Sequence, residues 1–371
     1  MGSITPTASK RITWDIISDM WHAEKIPNGY LSVGIAENTL MHSTLVEYIH
    51  DDLNISAQHL SYNNGSMRTN ALRKAVSHFL NRHFNPFRPV EQCHVLMTNG
   101  CSSAIEHLSW TFLNPVVVPV EMGAIDPLSP EAVDLYERAA VEFEQRTGKR
   151  VRAVMLCNTH NPLGRCYPRG TVDGLMRLCQ SRQMHLISDE IYALSVWENR
   201  VERDVPFEPF GSLLAMDTTG LIDAHLVHVL WGMSKDFGAN GLRVGAVISQ
   251  GKELNIAQKC LSLYSFVLSL SDQITASIME NDAFTDDYIR TNREKLSESH
   301  AFLVSLLKKH GIEYSRGCNA GFFLWVNLGK KYLETHPHFL QSLEFTDMLF
   351  QRLLDNKNPG WFRLVFAHPL P

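Results

Sequence analysis

Apolar positions along the chain fall into two kinds of pattern. Continuous apolar runs flanked by turn residues predict buried strands at His94–Gly100, Val151–Cys157, His185–Asp189, Leu226–Trp231 and Val244–Ile248. Between them, apolar residues recur at helical spacing. Leu72, Ala75, Val76, Phe79 and Leu80 mark one helix, and Ile105 and Leu108 mark a second that opens at Cys101. Ser129, Pro130 and Glu131 signal the start of a third, with Ser as cap and Pro in the first turn. It runs to near Arg146, and Gly148 closes it. A fourth covers Thr171–Ser181. Further on, Ile274–Glu280 and Tyr288–His310 read as helices, the second ended by Gly311. Cys318–Asn327 and Gly360–Ala367 read as strands, with a helix near Phe345–Leu354 between them. Tyr30–Leu40 is a short apolar run ending in a polar turn, Tyr62–Gly65 is a turn, and residues 1–13 are a polar lead-in.

Composition narrows the class. The 371 residues are 44% hydrophobic and 20% charged, enough for a large domain and a smaller one. The net charge is −5 and no basic stripe stands out, which argues against a nucleic-acid partner. Seven cysteines are scattered without a Cys-x-x-Cys pair. That fits reduced thiols in the cytoplasm better than a disulfide framework, and no metal site is expected. The N-terminus carries no apolar signal core and no run is long enough to span a bilayer, so no membrane partner is expected.

The densest chemistry lies in Trp231–Gly245. A buried strand leads into Ser234 and Lys235, and Gly238, Gly241 and Arg243 follow before the next apolar run. A lysine right after a buried strand is poorly hydrated, so its pKa can fall and its amine can act as a nucleophile. Glycines let the backbone approach a ligand, and arginine offers a planar fork to phosphate. The set suits a lysine that forms a Schiff base with a phosphorylated aldehyde; a solvated lysine in a glycine-containing loop is the simpler alternative. Asp189 ends a buried strand, where open α/β sheets place ligands. A carboxylate there either meets a cationic partner or caps the next turn. Cys101 and Ser102 follow Gly100 at a helix start, which can cap the helix or receive an anion. Arg363, alone in an apolar strand, is an edge residue or a carboxylate clamp. In isolation Glu37 and Asn38 are a solvated turn or a cap, Asn161 belongs to a Pro/Gly turn, and Tyr62 is a packed turn tyrosine.

The string Trp-Gly-Met-Ser-Lys-Asp-Phe-Gly-Ala-Asn-Gly-Leu-Arg-Val-Gly at 231–245 resembles the lysine segment of fold-type I pyridoxal-phosphate (PLP) enzymes, among the class I and II aminotransferases. Gly34–Leu40 resembles the Gly-Leu-Ala-Glu-Asn-Gln-Leu segment of 1-aminocyclopropane-1-carboxylate (ACC) synthases. The nearest branch by these motifs is the fungal ACC-synthase-like group, several of whose members sit in secondary metabolism. The motifs keep the family's order from Glu37 to Arg363. The resemblance implies an α/β fold: a large domain around a mainly parallel seven-stranded-type sheet, a smaller α+β domain, and a homodimer that shares its active sites. It divides the chain into an arm and small-domain segment at 1–40, a large domain at 41–285 and a small domain at 286–371. It also implies PLP as cofactor and an amino acid as substrate. Lys235 then holds the cofactor and, once freed, serves as base for the Cα proton. Asp189 faces the ring nitrogen, and Asn161 and Tyr192 face the phenolic oxygen. Cys101, Ser102, Ser234 and Arg243 hold the phosphate, Tyr62 reaches the neighbouring subunit's cofactor, and Glu37 and Arg363 face the substrate, Arg363 its carboxylate.

The sequence departs from the family in places. Roughly two dozen residues that relatives carry after Leu113 have no counterpart before Pro115, more than a loop-length variation. In relatives they hold a strand ending in Pro-Tyr-Tyr, whose aromatic packs on the pyridine ring; this chain has no Pro-Tyr-Tyr, so the sheet is expected one strand short. Asp355–Pro359 is shorter than its counterpart, a last helix is missing, and Gly232 stands where relatives carry Ser or Thr against the phosphate. Two functional expectations follow. One is an aminotransferase or carbon–sulfur lyase, ACC-synthase-like, acting at Cα of an amino acid. The other is a catalytically impaired remnant or mis-spliced product.

Overall fold

Five of the predicted runs pair into one sheet in the computed structural model, which describes residues 34–61, 70–111, 124–251, 265–335 and 360–369 and single positions 19, 25, 26, 28 and 120. The strands are β1 (Val95–Thr98), β2 (Ala153–Cys157), β3 (His185–Asp189), β4 (Val227–Gly232) and β5 (Gly245–Ser249), in the spatial order β1-β5-β4-β3-β2. β2, β3 and β4 are mutually parallel. β5 is antiparallel to both β4 and β1, so β1 shares the direction of the other three. The C-terminal ends of β1 to β4 and the N-terminal end of β5 therefore lie along one edge of the sheet. Five strands of the expected seven-stranded-type sheet fall among the described residues, with β2 at its border there. Residues 112–119, where the sequence places its gap, lie outside them, as do Tyr62 and the helix expected near Phe345–Leu354.

The helices, in chain order, are α1 (His42–Asp52), α2 (Asn70–His83), α3 (Gly100–Thr111), α4 (Val133–Thr147), α5 (Arg169–Arg182), the one-turn α6 (Met233–Asp236), α7 (Ser269–Glu280), α8 (Asp282–Lys309) and α9 (Leu328–Thr335). Successive side chains of a strand point to opposite faces, and the two faces of the sheet bury separate apolar sets. Leu96, Ile187, Leu230 and Val247 meet Ala104 and Leu108 of α3 on one face. Val95, Met97, Leu186, Val229, Trp231 and Ile248 join Phe79 of α2 and Leu175 of α5 on the other. Helices thus cover both faces, the layering that a parallel α/β sheet requires. A second, antiparallel sheet of β6 (Glu313–Tyr314), β7 (Phe323–Asn327) and β8 (Trp361–Val365) follows α8. The boundary proposed at 285/286 falls in the first turns of α8.

Several boundaries moved for identifiable reasons. α8 begins at Asp282 rather than Tyr288, because the Asn281 side chain accepts the Phe284 amide at 3.0 Å and caps it. The strand predicted over Cys318–Asn327 is regular only from Phe323, since Gly321 turns the chain with φ +66°. Ser129 supplies no side-chain cap bond; Pro130–Ala132 forms a 3-10 turn and the regular helix starts at Val133. Gly148 does close that helix, in the left-handed region at φ +65°. α1 was not predicted: Leu45 is its one buried residue, too thin a stripe to read as a helix face.

The segment 34–40 lies directly on the loop that follows Lys235. Asn38 donates to Asn292 of α8 at 2.9 Å, and the Thr39 amide donates to the Ala367 carbonyl at 2.9 Å, just past β8. Gly238 makes this approach possible. Its φ is +61°, and a Cβ there would stand 2.1 Å from the Asn38 carbonyl oxygen. Gly238→Ala is expected to cost about 2 kcal/mol or more from backbone strain and the forced displacement of segment 34–40. Gly241→Ala, at an open position, is expected to change stability by about 0.5 kcal/mol at most. Urea denaturation of the two variants measures the difference; equal stabilities would contradict the contact.

Candidate active site

Every strand end on the shared edge delivers a polar residue to one place. β4 leads through the extended Gly232 into α6, where Ser234 is buried and Lys235 is half-buried. Lys235 Nζ donates to the Ala36 carbonyl at 2.5 Å. Burial pulls the Lys235 pKa below its usual value. Among the charges that act on it are Arg363 and Arg243, which lower it further, and Glu37 and Cys101, which oppose them. These four neighbours come from β8, the α6–β5 loop, segment 34–40 and α3. They are sequence-predicted residues brought together from across more than three hundred positions of the chain, from Glu37 to Arg363.

Asp189 ends β3, next to Cys157 of β2 and Leu230 of β4. Protein surrounds its carboxylate on nearly every side, though the residue keeps part of its surface accessible. Its one hydrogen bond among the described residues comes from the Ile191 amide, at 3.2 Å. Desolvation raises its pKa to about 6, against the pull of that amide and of Lys235. Two other buried carboxylates stand close in sequence. Glu190 accepts from the Ser212 hydroxyl at 2.6 Å and the Leu213 amide at 2.8 Å. Asp236 accepts from the Ser195 hydroxyl at 2.7 Å, the Leu194 amide at 3.2 Å and the Trp231 indole at 3.2 Å. Burial raises both to about 7. Each of these is satisfied by two or more neutral donors, whereas Asp189 has the Ile191 amide alone among the described residues.

The start of α3 and the start of β5 are pressed together. A Cβ on Gly245 would stand 2.5 Å from the Gly100 carbonyl carbon and 2.6 Å from the Cys101 nitrogen. Gly100 itself has φ +79°, and a Cβ on it would stand 2.5 Å from Arg243 Nη2. Arg243 adopts a left-handed φ of +54°, uncommon for a residue with a side chain. Its guanidinium lies over Gly100, where it donates to the Asn240 carbonyl at 3.0 Å and the Asn99 carbonyl at 3.4 Å. A guanidinium beside the free N–H groups of a helix start is a cradle for a phosphate. The Cys101 thiol is buried here, and its pKa is pushed well up, first by burial and then by Asp189. Ser102 is exposed on the same turn, with no side-chain partner among the described residues. Gly232 has no room for a side chain: a Cβ would stand 2.6 Å from the Val244 carbonyl oxygen and 3.2 Å from Cys101 Sγ.

Arg363 on β8 closes the opposite side. It donates to the Asn161 side-chain oxygen at 3.0 Å and to the Gly34 carbonyl at 2.7 Å, while its buried Nε has no partner among the described residues. Its guanidinium stands 5.4 Å from the Phe323 ring centroid. Tyr192 is buried, with its ring edge-on to Phe322 and Phe323. Burial raises its pKa, and Arg363 and Asp189 are both among the charges it feels. Glu37 is exposed at the rim, accepting from Asn240 at 3.3 Å. The donor set fits pyridoxal phosphate: an amine, a carboxylate with acceptor capacity left, and a guanidinium beside a helix start lie close enough to act on one another. Sequence reading missed the carbonyls of Gly34 and Ala36, because a backbone acceptor has no residue signature. It also passed over Asp236, although a carboxylate directly after a buried strand and a lysine was a signal available to it.

The described cysteines are all free, and among the described residues no helix is long and apolar enough to cross a membrane. Comparison with known proteins places the chain. Residues 133–369 match the family described as aminotransferase class I and II. A probable aminotransferase of Aspergillus oryzae, aclI, is 31% identical, over 91% of this chain and 86% of that protein. A probable inactive ACC-synthase-like protein 2 of Mus musculus is 26% identical, over 94% of this chain and 65% of that protein. In fold, a mutant aspartate aminotransferase of Thermus thermophilus superposes with a TM-score of 0.69 at 17% identity, covering 99% of this chain and 94% of that one. The chain belongs to the class I and II aminotransferase family and has its fold-type I architecture.

Proposed function

We propose that the chain binds pyridoxal phosphate and acts at Cα of an amino acid, as an aminotransferase or a carbon–sulfur lyase. The observation that carries this reading is that Asp189, Arg243 and Arg363, from separate segments, all lie close enough to Lys235 for their charges to act on or with it. When bound, the cofactor supplies an electron sink for negative charge developing at the substrate Cα. Asp189 holds a proton on the ring nitrogen, which gives its buried carboxylate a cationic partner. Arg243 and the amides at the start of α3 hold the phosphate, with Cys101, Ser102 and Ser234 around them. Asn161 and Tyr192 face the phenolic oxygen. Arg363 forks the substrate carboxylate, and Glu37 faces the rest of the substrate from the rim. Lys235 would hold the cofactor through Nζ and, once the substrate amine has displaced it, would take the Cα proton; its lowered pKa favours the neutral amine that both roles need. A cytoplasmic homodimer working in secondary metabolism, with Tyr62 reaching across to its partner's cofactor, completes the proposal.

A second reading has specific support. The residues absent after Leu113 include the ring-stacking strand of relatives, and one similar protein carries the name probable inactive. It makes the chain an impaired remnant. Borohydride trapping separates the two. The protein incubated with pyridoxal phosphate and then reduced is expected to carry the cofactor on Lys235 in a peptide map, and Lys235→Ala is expected to lose the label. Mass spectrometry of an amino-acid panel is then expected to show a keto acid or a β-elimination product; absence of both the label and any product supports the remnant.

Asp189 adds a test that needs no turnover. Its folded pKa lies near 6, above its usual 3.8. The folded protein thus binds more protons than the unfolded chain between those values, and this contribution to stability is lost as pH rises through 6. Without cofactor, Asp189→Asn is expected to raise stability at pH 8 by on the order of 2 kcal/mol relative to its effect at pH 4. Denaturation at the two pH values measures this, and a pH-independent effect would contradict it.

A further inference from the structure

Past Leu230 the ladder no longer fixes the distance between β3 and β4. Asp189 is paired with Leu230, and the Glu190 amide donates to the Leu230 carbonyl at 2.9 Å. Beyond that point each strand runs into turns of its own. After β3, the Ala193 amide donates to the Glu190 carbonyl and the Ser195 amide to the Tyr192 carbonyl, both at 3.0 Å, so residues 190–195 form two successive turns. After β4, the chain enters α6 and reaches Lys235. One set of turns thus carries Asp189 and Tyr192, and the other carries the amine.

Asp236 bridges the two. Its Oδ1 accepts from the Ser195 hydroxyl at 2.7 Å, and its Oδ2 accepts from the Leu194 amide and the Trp231 indole, each at 3.2 Å. Asp236 and all three donor residues are buried. A buried donor that loses its acceptor is costly, so each of the three holds the carboxylate, and with it α6, in place. The backbone that follows is clamped to α8. The Tyr288 hydroxyl donates to the Phe237 carbonyl at 2.8 Å, and the Asn292 side chain to the Asp236 carbonyl at 3.5 Å. The charges that act most on Lys235 are those of Arg363, Glu37, Arg243 and Cys101. What Asp236 supplies is geometry. With α6 pinned, Lys235 stays half-buried, and burial is the largest cause of its lowered pKa.

We propose that Asp236 is a positioning residue, which fixes the amine of Lys235 against the turns that carry Asp189 and Tyr192. Its part in chemistry at Cα rests on the function proposed above, while the pin itself can be read on the chain without cofactor. Asparagine preserves the pin. Its oxygen can accept from the Leu194 amide and the Trp231 indole, and its NH2 group can donate to the Ser195 hydroxyl oxygen. Alanine removes all three bonds.

Competitive acetylation over a pH series, followed by peptide mapping, reads the titration of Lys235 in the cofactor-free chain. In the natural chain and in Asp236→Asn, Lys235 is expected to titrate below an ordinary lysine. In Asp236→Ala it is expected to titrate higher, back toward the ordinary value. Removing a negative charge alone would move Lys235 the other way, and a loss of global stability alone would not move it. With pyridoxal phosphate present, borohydride labelling of Lys235 is expected to slow by about tenfold or more in Asp236→Ala and to stay near the natural rate in Asp236→Asn. An unmoved or lowered Lys235 titration in Asp236→Ala would overturn the proposal, as would Asp236→Asn behaving like Asp236→Ala. A natural chain that takes no label, but whose variants titrate as expected, contradicts the cofactor reading and supports the pin. If Asp236→Ala does not fold, Ser195→Ala, which removes the shortest of the three bonds, decides by the same titration: a rise supports the pin, and no change overturns it.

Discussion

A carboxylate largely enclosed by protein, with one amide as its hydrogen-bond partner among the described residues, is the constraint around which this structure is arranged. Charged groups leave water at a cost that neutral donors offset only in part. Glu190 and Asp236, more deeply buried, meet that cost with two and three donors. Asp189 has the Ile191 amide and the distant pull of Lys235. Its remaining acceptor capacity lies near the Lys235 amine. Under the proposed function, a protonated ring nitrogen facing Asp189 would turn that cost into a gain. Site and stability are therefore set against each other at a single residue.

Sheet topology makes this arrangement possible. Because β5 runs against its neighbours, the ends of β1 to β4 and the start of β5 share one edge. That edge carries Gly100 and Cys101 from β1, Asn161 from the loop after β2, Asp189 from β3, Lys235 from β4 and Arg243 before β5. The close approach of Gly245 to the first turn of α3 ties the cradle together, and Gly238 lets segment 34–40 lie on the lysine loop. Through that segment the second sheet is also engaged, since Gly34 and Arg363 are bonded to each other. Lys235 is thus held between two sheets, with its charge weakened by burial and by two arginines.

Much of this was legible in the sequence, for definite reasons. Buried strands such as Leu226–Trp231 are continuous apolar runs, and the residues that end them stand out as charges in apolar surroundings. Lys235, Asp189 and Arg363 could be picked out this way, while their grouping was implied by the family resemblance and not by spacing. What the sequence hid has a common physical character. The Gly34 and Ala36 carbonyls are backbone groups, and any residue type could have supplied them. α1 buries too little to show a stripe, and the true start of α8 depends on a cap bond from Asn281 rather than on apolar spacing. The fit of Gly232 against Val244 and Cys101 depends on two segments meeting in space. A glycine in sequence shows only that a side chain is absent, not what would have met it.

Nitrogen NMR of the protein loaded with ring-labelled pyridoxal phosphate reads the central interaction directly. The account predicts that the ring nitrogen is protonated at pH 8 in the natural chain and loses that proton in Asp189→Asn. A neutral ring nitrogen in the natural chain at pH 8, or the same protonation state in both proteins, would contradict it.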